Sequence, residues 1–98
     1  MKLLWYVVAE QDLGRAIEYV EQANPQAALH VKTRLITAVE HLRRFPEAGR
    51  VSRVAGAREI VVPEYDYTIR YRIKDDAVQV LRVFHARRQW LGNDDDGK

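Results

Sequence analysis

The residues best suited to chemistry lie near the C-terminal end, where arginines flank a histidine at Arg82, His85, Arg87 and Arg88. Guanidinium groups bind phosphates and carboxylates through paired N–H donors, and an imidazole can donate or accept a proton close to neutral pH. His85, Arg87 and Arg88 are therefore the candidate catalytic residues for acid–base chemistry on a charged substrate. The pattern favours the alternative for His85, a hydrogen-bonded histidine at the end of a strand.

A second group of arginines follows the middle of the chain and comprises Arg50, Arg53 and Arg58. Residues 1–49 carry six basic and six acidic side chains, whereas residues 50–90 carry nine basic and five acidic ones, a net charge of +4. Such a basic half favours an acidic protein or a nucleic acid as partner, although an ordinary solvated sheet face has a similar composition. The candidate target-binding residues are Arg58, Arg82, Arg87 and Arg88.

The chain lacks the motifs of several enzyme classes. Ser52 is its only serine and has no Gly-x-Ser-x-Gly around it, and neither a phosphate-binding glycine loop nor a cysteine is present. His30 and His41 are better explained as part of a solvent-facing helical stripe than as metal ligands. The acids that come first in the chain fit the solvated face of a helix: Glu10, Asp12, Glu18 and Glu21. We therefore expect no metal, no cofactor and, without an apolar run of about 18 residues, no membrane span.

Hydrophobic periodicity divides the first half into one strand and two helices. Leu3–Val8 is continuously apolar and predicts a strand buried on both faces. Apolar spacing of three and four residues then predicts a helix around Glu10–Gln22, whose packed side comprises Leu13, Ala16, Ile17 and Val20. Asn24 and Pro25 supply an N-cap and a first-turn proline, so a second helix is predicted from there to about Arg44. Its apolar side comprises Ala28, Val31, Leu35, Ala38, Val39 and Leu42.

The second half changes to the period of two that is typical of strands. We predict strands at Arg58–Val62, Tyr67–Lys74 and Ala77–His85. If Asp75-Asp76 is a two-residue hairpin loop, the register pairs Lys74 with Ala77, Tyr71 with Val80, Ile69 with Arg82, and Tyr67 with Phe84. This register also places Asp66 opposite His85. It leaves Arg82 among apolar neighbours, where it either pairs with a carboxylate of the fold or points at a ligand.

The predicted fold class is α+β. An N-terminal strand precedes an antiparallel helical hairpin and a three-stranded antiparallel meander, and packing both helices on one face of the sheet is the economical arrangement. Ninety-eight residues make one domain. We place it at residues 1–91 and predict a disordered acidic tail at residues 92–98.

Several short motifs follow one another along the chain in a definite order. The first half contains Asp12-Leu13, Ile17, Tyr19-Val20, Asn24-Pro25 and Ala27-Ala28. The second half contains Phe45-Pro46, Gly49-Arg50, Gly56-x-Arg58-Glu59, Tyr67-x-Ile69-x-Tyr71-Arg72 and Leu81-Arg82-Val83-x-His85-x-Arg87-Arg88. At these spacings the set resembles the RelE/ParE superfamily of type II toxin–antitoxin toxins, the ParE branch more than the ribonuclease branch. The resemblance implies an antiparallel sheet bearing a helical hairpin, and an antitoxin whose C-terminal segment wraps the toxin.

The resemblance implies two possible activities. ParE-like toxins are reported to poison DNA gyrase without an established catalytic residue, whereas RelE-like toxins cut messenger RNA on the ribosome with clustered basic residues. The ribonuclease branch commonly places an arginine directly after the tyrosine that opens the penultimate strand. Here that position is Thr68, and the arginines follow at Arg70 and Arg72. Because cleavage needs cations held on the phosphate, a shift of about 7 Å along the strand counts against a ribonuclease.

The leading hypothesis is a ParE-like toxin of the cytoplasm that inhibits DNA gyrase by binding, which favours a binding protein over an enzyme. Its expected partner is a ParD-like antitoxin, acidic and partly disordered, which forms a hetero-oligomer with it. One alternative is a RelE-like, ribosome-dependent messenger RNA endonuclease. Another is a homologue that has lost its activity and only binds its antitoxin. The sequence leaves open the target, the identity and stoichiometry of the antitoxin, and the residues that contact the target.

Overall fold

The computed structural model describes residues 1–87, in which two helices pack against a five-stranded mixed sheet. The elements in chain order are β1 (Lys2–Trp5), α1 (Val7–Ala23), α2 (Pro25–Arg44), β2 (Arg50–Val51), β3 (Arg58–Val62), β4 (Tyr67–Lys74) and β5 (Ala77–His85). The strand order is β1-β5-β4-β3-β2, with β1 parallel to β5 and all other neighbours antiparallel. The predicted α+β class is confirmed. Arg88 and the predicted tail at residues 92–98 lie outside the described residues.

Both helices follow the predicted apolar spacing. The buried residues of α2 are the six predicted ones, Ala28, Val31, Leu35, Ala38, Val39 and Leu42. The Asn24 side chain accepts hydrogen bonds from the backbone N–H groups of Gln26 and Ala27, each at 3.1 Å, as an N-cap does. The buried stripe of α1 comprises Ala9, Asp12 and Ala16. The prediction that Asp12 belongs to a solvated face is therefore wrong, because it lies three residues from Ala9 and four from Ala16 on the packed side.

Strand β1 is shorter and less buried than predicted. It ends at Trp5, and the chain turns at Tyr6 so that α1 begins at Val7. Its residues alternate between exposed and half-buried, because β1 is an edge strand of the sheet. Its last hydrogen bond to β5 joins the Tyr6 N–H to the Val80 carbonyl at 3.0 Å. The part of β5 beyond Val80 therefore has no pairing with β1 among the residues that the structure describes.

The β4–β5 hairpin confirms half of the predicted register. Asp75 and Asp76 both have positive φ, 55° and 60°, as a two-residue hairpin loop requires. Lys74 faces Ala77 and Tyr71 faces Val80 as predicted. Beyond them Leu81 is an extra residue in β5, so the predicted pairs of Ile69 with Arg82 and Tyr67 with Phe84 are wrong.

This β-bulge has a clear packing reason. It places Val83 opposite Ile69, and both residues belong to the buried core. Without the extra residue, the charged side chain of Arg82 would take the core position instead. The bulge also moves His85 opposite Tyr67. The backbone carbonyl of Asp66 accepts a hydrogen bond from the Ala86 N–H at 2.8 Å. The predicted pairing of Asp66 with His85 is therefore wrong.

Strand β4 lies at the centre of the sheet and is buried on both of its faces. Its helix-facing side chains, Tyr67, Ile69 and Tyr71, lie in the core. On the opposite face Thr68 and Arg70 are also buried. An ordinary solvated face therefore does not describe this part of the basic half. Strand β2, two exposed residues long, was not predicted because it is too short to show a period of two.

Candidate target-binding surface

Arg82 is held by a buried carboxylate of helix α1. Its Nε and Nη2 donate to the two carboxylate oxygens of Asp12 at 2.8 and 3.0 Å, a bidentate pair. The same carboxylate accepts the backbone N–H of Val83 at 2.9 Å and a bond from Arg15 at 3.1 Å. The side chain of Asp12 is only 5% exposed and that of Arg82 is 27% exposed. Of the two roles predicted for Arg82, the structure supports pairing with a carboxylate inside the fold.

Asp12 also completes the hydrogen bonding of the sheet. Where β1 ends, the backbone of β5 loses its neighbouring strand. Three residues beyond Val80, the Asp12 carboxylate accepts the Val83 N–H and so replaces a strand partner with a side chain. Helix α1 is thereby joined to the end of β5 that carries His85 and Arg87.

Arg70 is bound by a second carboxylate, that of the half-buried Glu59. Its guanidinium lies 2.9–3.0 Å from the Glu59 carboxylate and 4.9 Å from the centre of the Phe84 ring. Glu59 also accepts the Ser52 hydroxyl at 2.9 Å. Burial raises the pKa of Glu59, but the hydrogen bonds from Ser52, Arg70 and Arg50 and the charge of Arg70 outweigh it and hold the pKa below its ordinary value. Ser52, the only serine, therefore has a structural role here.

Arg72 differs from the two arginines described above because its recorded partners are neutral. Its Nε donates to Oε1 of Gln79 at 2.7 Å, and its Nη2 donates to the hydroxyl of Tyr6. The guanidinium carbon lies 5.7 Å from the centre of the Tyr6 ring. Arg72 is half-buried on the sheet face opposite the helices. Its positive charge therefore lies beside the Tyr6 ring and has no carboxylate among the partners described here.

The candidate catalytic residues at the end of β5 have structural partners. Nδ1 of His85 accepts the Arg87 backbone N–H at 3.0 Å, and its ring lies edge-on to Tyr67 at 5.0 Å. This supports the hydrogen-bonded strand-end role that the pattern favoured. The Arg87 side chain is 76% exposed and lies 3.4 Å from the Asp66 carboxylate. Of the three candidates, Arg88 lies outside the described residues.

Two of the target-binding candidates that the structure describes, Arg58 and Arg87, lie far apart. Arg58 pairs with Tyr71 in the middle of β4, whereas Arg87 follows His85, which pairs with Tyr67 at the start of β4. Four residues along a strand correspond to about 13 Å. The Nη1 of Arg58 donates to the Gly49 carbonyl at 2.7 Å, so Arg58 stabilises the loop between α2 and β2.

That loop is anchored by a buried tyrosine that the sequence assigned only to the core. The Tyr71 hydroxyl donates to the Pro46 carbonyl at 2.7 Å and accepts the Gly49 N–H at 2.9 Å. Burial raises the pKa of Tyr71 above its ordinary value, although the Gly49 N–H opposes this. A Cβ at Gly49 would lie 2.7 Å from the tyrosine oxygen, so a side chain there would push the loop away.

Two further features bear on what this surface can do. Within residues 1–87 no group of three or more histidines, cysteines or acids is arranged to hold a metal ion. No helix in the same part of the chain is long and apolar enough to cross a membrane.

The burial of Asp12 could have been predicted from the sequence, because its position matches the spacing of Ala9 and Ala16 on the packed side of α1.

Comparison with known proteins places this arrangement among bacterial toxins. Residues 3–90 match the family model of the ParE toxin of the type II toxin–antitoxin system parDE. The chain is 38% identical over 89 residues to Y4kP of Sinorhizobium fredii, covering 91% of this chain and 92% of that protein. It is 36% identical over 87 residues to Toxin RelE2 of Caulobacter vibrioides, covering 89% and 97%. A chain of the chromosomal ParDE system from P. aeruginosa superposes with a TM-score of 0.82 at 26% identity, covering 89% of this chain and 97% of that chain.

Proposed function

Since the chain belongs to the ParE toxin family of type II toxin–antitoxin systems, we propose that it inhibits DNA gyrase and that a cognate antitoxin holds it inactive. The observation that carries this proposal is the family match over residues 3–90. The superposition with a chain of the ParDE system from P. aeruginosa supports the same branch. For ParE-like toxins the expected action is binding to gyrase, without a chemical step performed by the toxin.

The pairing of the arginines supports binding over RNA cleavage. Phosphodiester cleavage needs cations aimed at the phosphate and an acid or base near the reacting hydroxyl. Arg82 is bound to the buried carboxylate of Asp12 and Arg70 to the half-buried carboxylate of Glu59, at 2.8–3.0 Å, so both guanidinium groups already have an acidic partner. Nδ1 of His85 accepts a backbone N–H. These side chains therefore stabilise the sheet, and we expect little direct contribution from them to a reaction on RNA.

A specific observation favours the second candidate function, a ribosome-dependent messenger RNA endonuclease. Arg72 has neutral partners and lies beside Tyr6 on the sheet face opposite the helices. A cation and a phenol at this distance could hold a phosphate and donate a proton. One of the relatives also carries the name Toxin RelE2. In this alternative Arg72 would be the cation that binds the phosphate, although it lies about 13 Å along the strand from position 68.

Two assays on the purified chain distinguish these functions. The first follows supercoiling of relaxed plasmid by gyrase as the chain is added, and the second is primer extension on a translated messenger RNA. Inhibited supercoiling with intact messages supports our proposal. Codon-linked cleavage with normal supercoiling contradicts it, and Arg72→Gln should then abolish the cleavage. If the chain has neither effect but binds its antitoxin, it is an inactive homologue.

The partner follows from the same proposal. We expect an acidic antitoxin whose C-terminal part is disordered alone and folds on the toxin, which gives a hetero-oligomer in the cytoplasm, where gyrase also acts. Co-expression with the neighbouring open reading frame tests this expectation. If the chain purifies as a harmless monomer with no copurifying partner, the proposal that it is a toxin neutralised by an antitoxin is contradicted.

A further inference from the structure

A cluster of three polar side chains lies on the sheet face opposite the helices. Gln79 on β5 lies between Leu4 on β1 and Arg72 on β4, and Tyr6 follows directly after β1. Oε1 of Gln79 accepts hydrogen bonds from Nε of Arg72 at 2.7 Å and from the Tyr6 hydroxyl at 3.4 Å. Nη2 of Arg72 donates to the same hydroxyl. We call Tyr6, Arg72 and Gln79 the Arg72 cluster.

The Arg72 cluster has hydrogen-bond donors that the described part of the chain does not use. Gln79 is only 7% exposed, and both bonds of its amide use the oxygen, so its N–H donors have no acceptor within residues 1–87. Nη1 of Arg72 makes no hydrogen bond in the same range, where its guanidinium also has no carboxylate partner. A nearly buried donor without an acceptor and a half-buried cation without a counter-ion both cost free energy. A bound oxyanion would satisfy both groups.

Two lysines extend the positive charge beside the Arg72 cluster. The register places Lys2 and Lys74 on either side of the small residue Ala77, in the next row of the same sheet face. Alternate residues of a strand lie about 7 Å apart on one face, so Lys74 follows Arg72 at this distance. Both lysines are exposed, and neither has an ion pair within residues 1–87. Counting the two acids of the adjacent loop at residues 75–76, the three cations leave a net charge of +1, so this surface attracts an anion.

The side chains of these two rows favour a phosphate backbone over a protein segment. Protein segments bind mainly through buried apolar and aromatic anchors. Of the six residues in the rows, Leu4 alone is both apolar and exposed, at 52%. Arginine, lysine, glutamine and tyrosine are all side chains that contact phosphate oxygens in DNA complexes. This surface presents all four types, and its described bonds leave N–H donors of Arg72 and Gln79 free for such oxygens.

We propose that the Arg72 cluster binds a backbone phosphate of duplex DNA, with Lys2 and Lys74 against a neighbouring phosphate. The phosphate oxygens accept hydrogen bonds from Nη1 of Arg72 and from the Gln79 amide, while the Tyr6 hydroxyl and Oε1 of Gln79 hold the guanidinium in place. The choice of duplex DNA rests on the proposed function, because gyrase holds duplex DNA as its substrate. The toxin would then contact both the enzyme and the DNA, and no bond is made or broken.

The test measures binding of the purified chain to a short fluorescent DNA duplex over a range of salt concentrations. Arg72→Gln removes the cation, and Gln79→Glu gives Arg72 a carboxylate of the same shape. The second variant keeps the arginine paired, so it covers the case in which Arg72→Gln fails to fold. The matched control is Lys32→Gln, which removes one exposed positive charge from α2. Each cluster variant should weaken binding by about tenfold at low salt and reduce the salt slope by about one, and the control should change affinity by less than about twofold.

Inhibition of plasmid supercoiling by gyrase is the second measurement. Both cluster variants should need about tenfold more protein than the wild type for the same inhibition. Equal DNA binding by all four proteins overturns the phosphate site, and inhibition of gyrase by the wild type then leaves the proposed function intact. Binding that depends on Arg72 but prefers polyglutamate or messenger RNA to duplex DNA also overturns it, since the occupant is then an acidic protein or an RNA. If the wild type binds DNA through Arg72 and does not inhibit gyrase, the phosphate site is supported and the proposed function fails.

Discussion

Replacing Asp12 with alanine should destabilise this domain more than any other change to an acid of helix α1. The substitution removes the acceptor of four hydrogen bonds, two from Arg82, one from Arg15 and one from the Val83 backbone. A buried donor left without a partner costs about 1–3 kcal/mol, and breaking a buried ion pair costs about 3–5 kcal/mol. Arg82 is 27% exposed and can turn towards water, which reduces the second cost. We therefore expect a loss of about 3 kcal/mol from the free energy of unfolding.

A loss of this size is large for a domain of 98 residues. Such domains are stable by about 5–15 kcal/mol, and each 1 kcal/mol changes the thermal midpoint by about 4–8 °C. Asp12→Ala should thus lower the midpoint by at least about 12 °C. Arg82→Ala should cost about half as much, because Asp12 keeps Arg15 and the Val83 N–H. The matched control is Glu10→Ala, an exposed acid in the first turn of the same helix.

The measurement is urea unfolding followed by circular dichroism for the three single variants and for the double variant Asp12→Ala/Arg82→Ala. The double variant should be less destabilised than the sum of the two single variants, because both single changes remove the same interaction. If Asp12→Ala unfolds at the urea concentration of Glu10→Ala, the carboxylate does not hold β5 to α1. Additive single effects would refute the direct coupling of Asp12 with Arg82.

Three further predictions concern the C-terminal end, the hydrogen bonds of Glu59 and the loop after α2. Arg87→Ala/Arg88→Ala should abolish growth arrest and leave the thermal midpoint unchanged, because the exposed Arg87 contributes little to stability. If the variant remains fully toxic, these two arginines do not contact the target, and the arginines of residues 50–58 become the candidates. The pKa of Glu59 is lowered in the folded state, so its contribution to stability is present above its ordinary pKa of 4.5 and is lost as the pH falls through the folded value. Acid unfolding of Glu59→Gln should therefore be less steep over this range, and a curve parallel to that of the wild type would count against these hydrogen bonds. Tyr71→Phe leaves the buried N–H of Gly49 unpaired and should cost about 2 kcal/mol in urea unfolding; an unchanged midpoint would mean that water replaces the hydroxyl.

Some arginines are paired with carboxylates inside the fold, so less positive charge is available to a partner than the composition suggests. The basic half has a net charge of +4 that already counts the half-buried Glu59 bound to Arg70, whereas Arg82 is paired with a buried carboxylate outside that count. One of those carboxylates, Asp12, belongs to the neutral half of the chain. The basic side chains of this half that remain exposed to a partner include Arg53, Lys74 and Arg87.

The local elements could be predicted from the sequence because they depend on neighbouring residues. The spacing of six apolar residues determined the buried side of α2, and Asn24 with Pro25 determined where that helix begins. The alternation of Tyr67, Ile69 and Tyr71 determined the core side of β4. In each case the physical cause acts over one helical turn or one strand repeat, so a window of a few residues contains it.

The tertiary structure decided what depends on residues far apart in the chain. The parallel pairing of β1 with β5 joins residues about 75 positions apart and makes β4 central, which buries Arg70 as well as Tyr71. Because β1 stops at Trp5, the end of β5 needed another partner, and the bulge at Leu81 lets Arg82 and the Val83 N–H meet Asp12. The Asp12 carboxylate can be buried on the packed side of α1 only because the fold supplies its hydrogen-bond donors. Its partner Arg82 lies 70 residues further along the chain, and no local pattern identifies a partner at that distance.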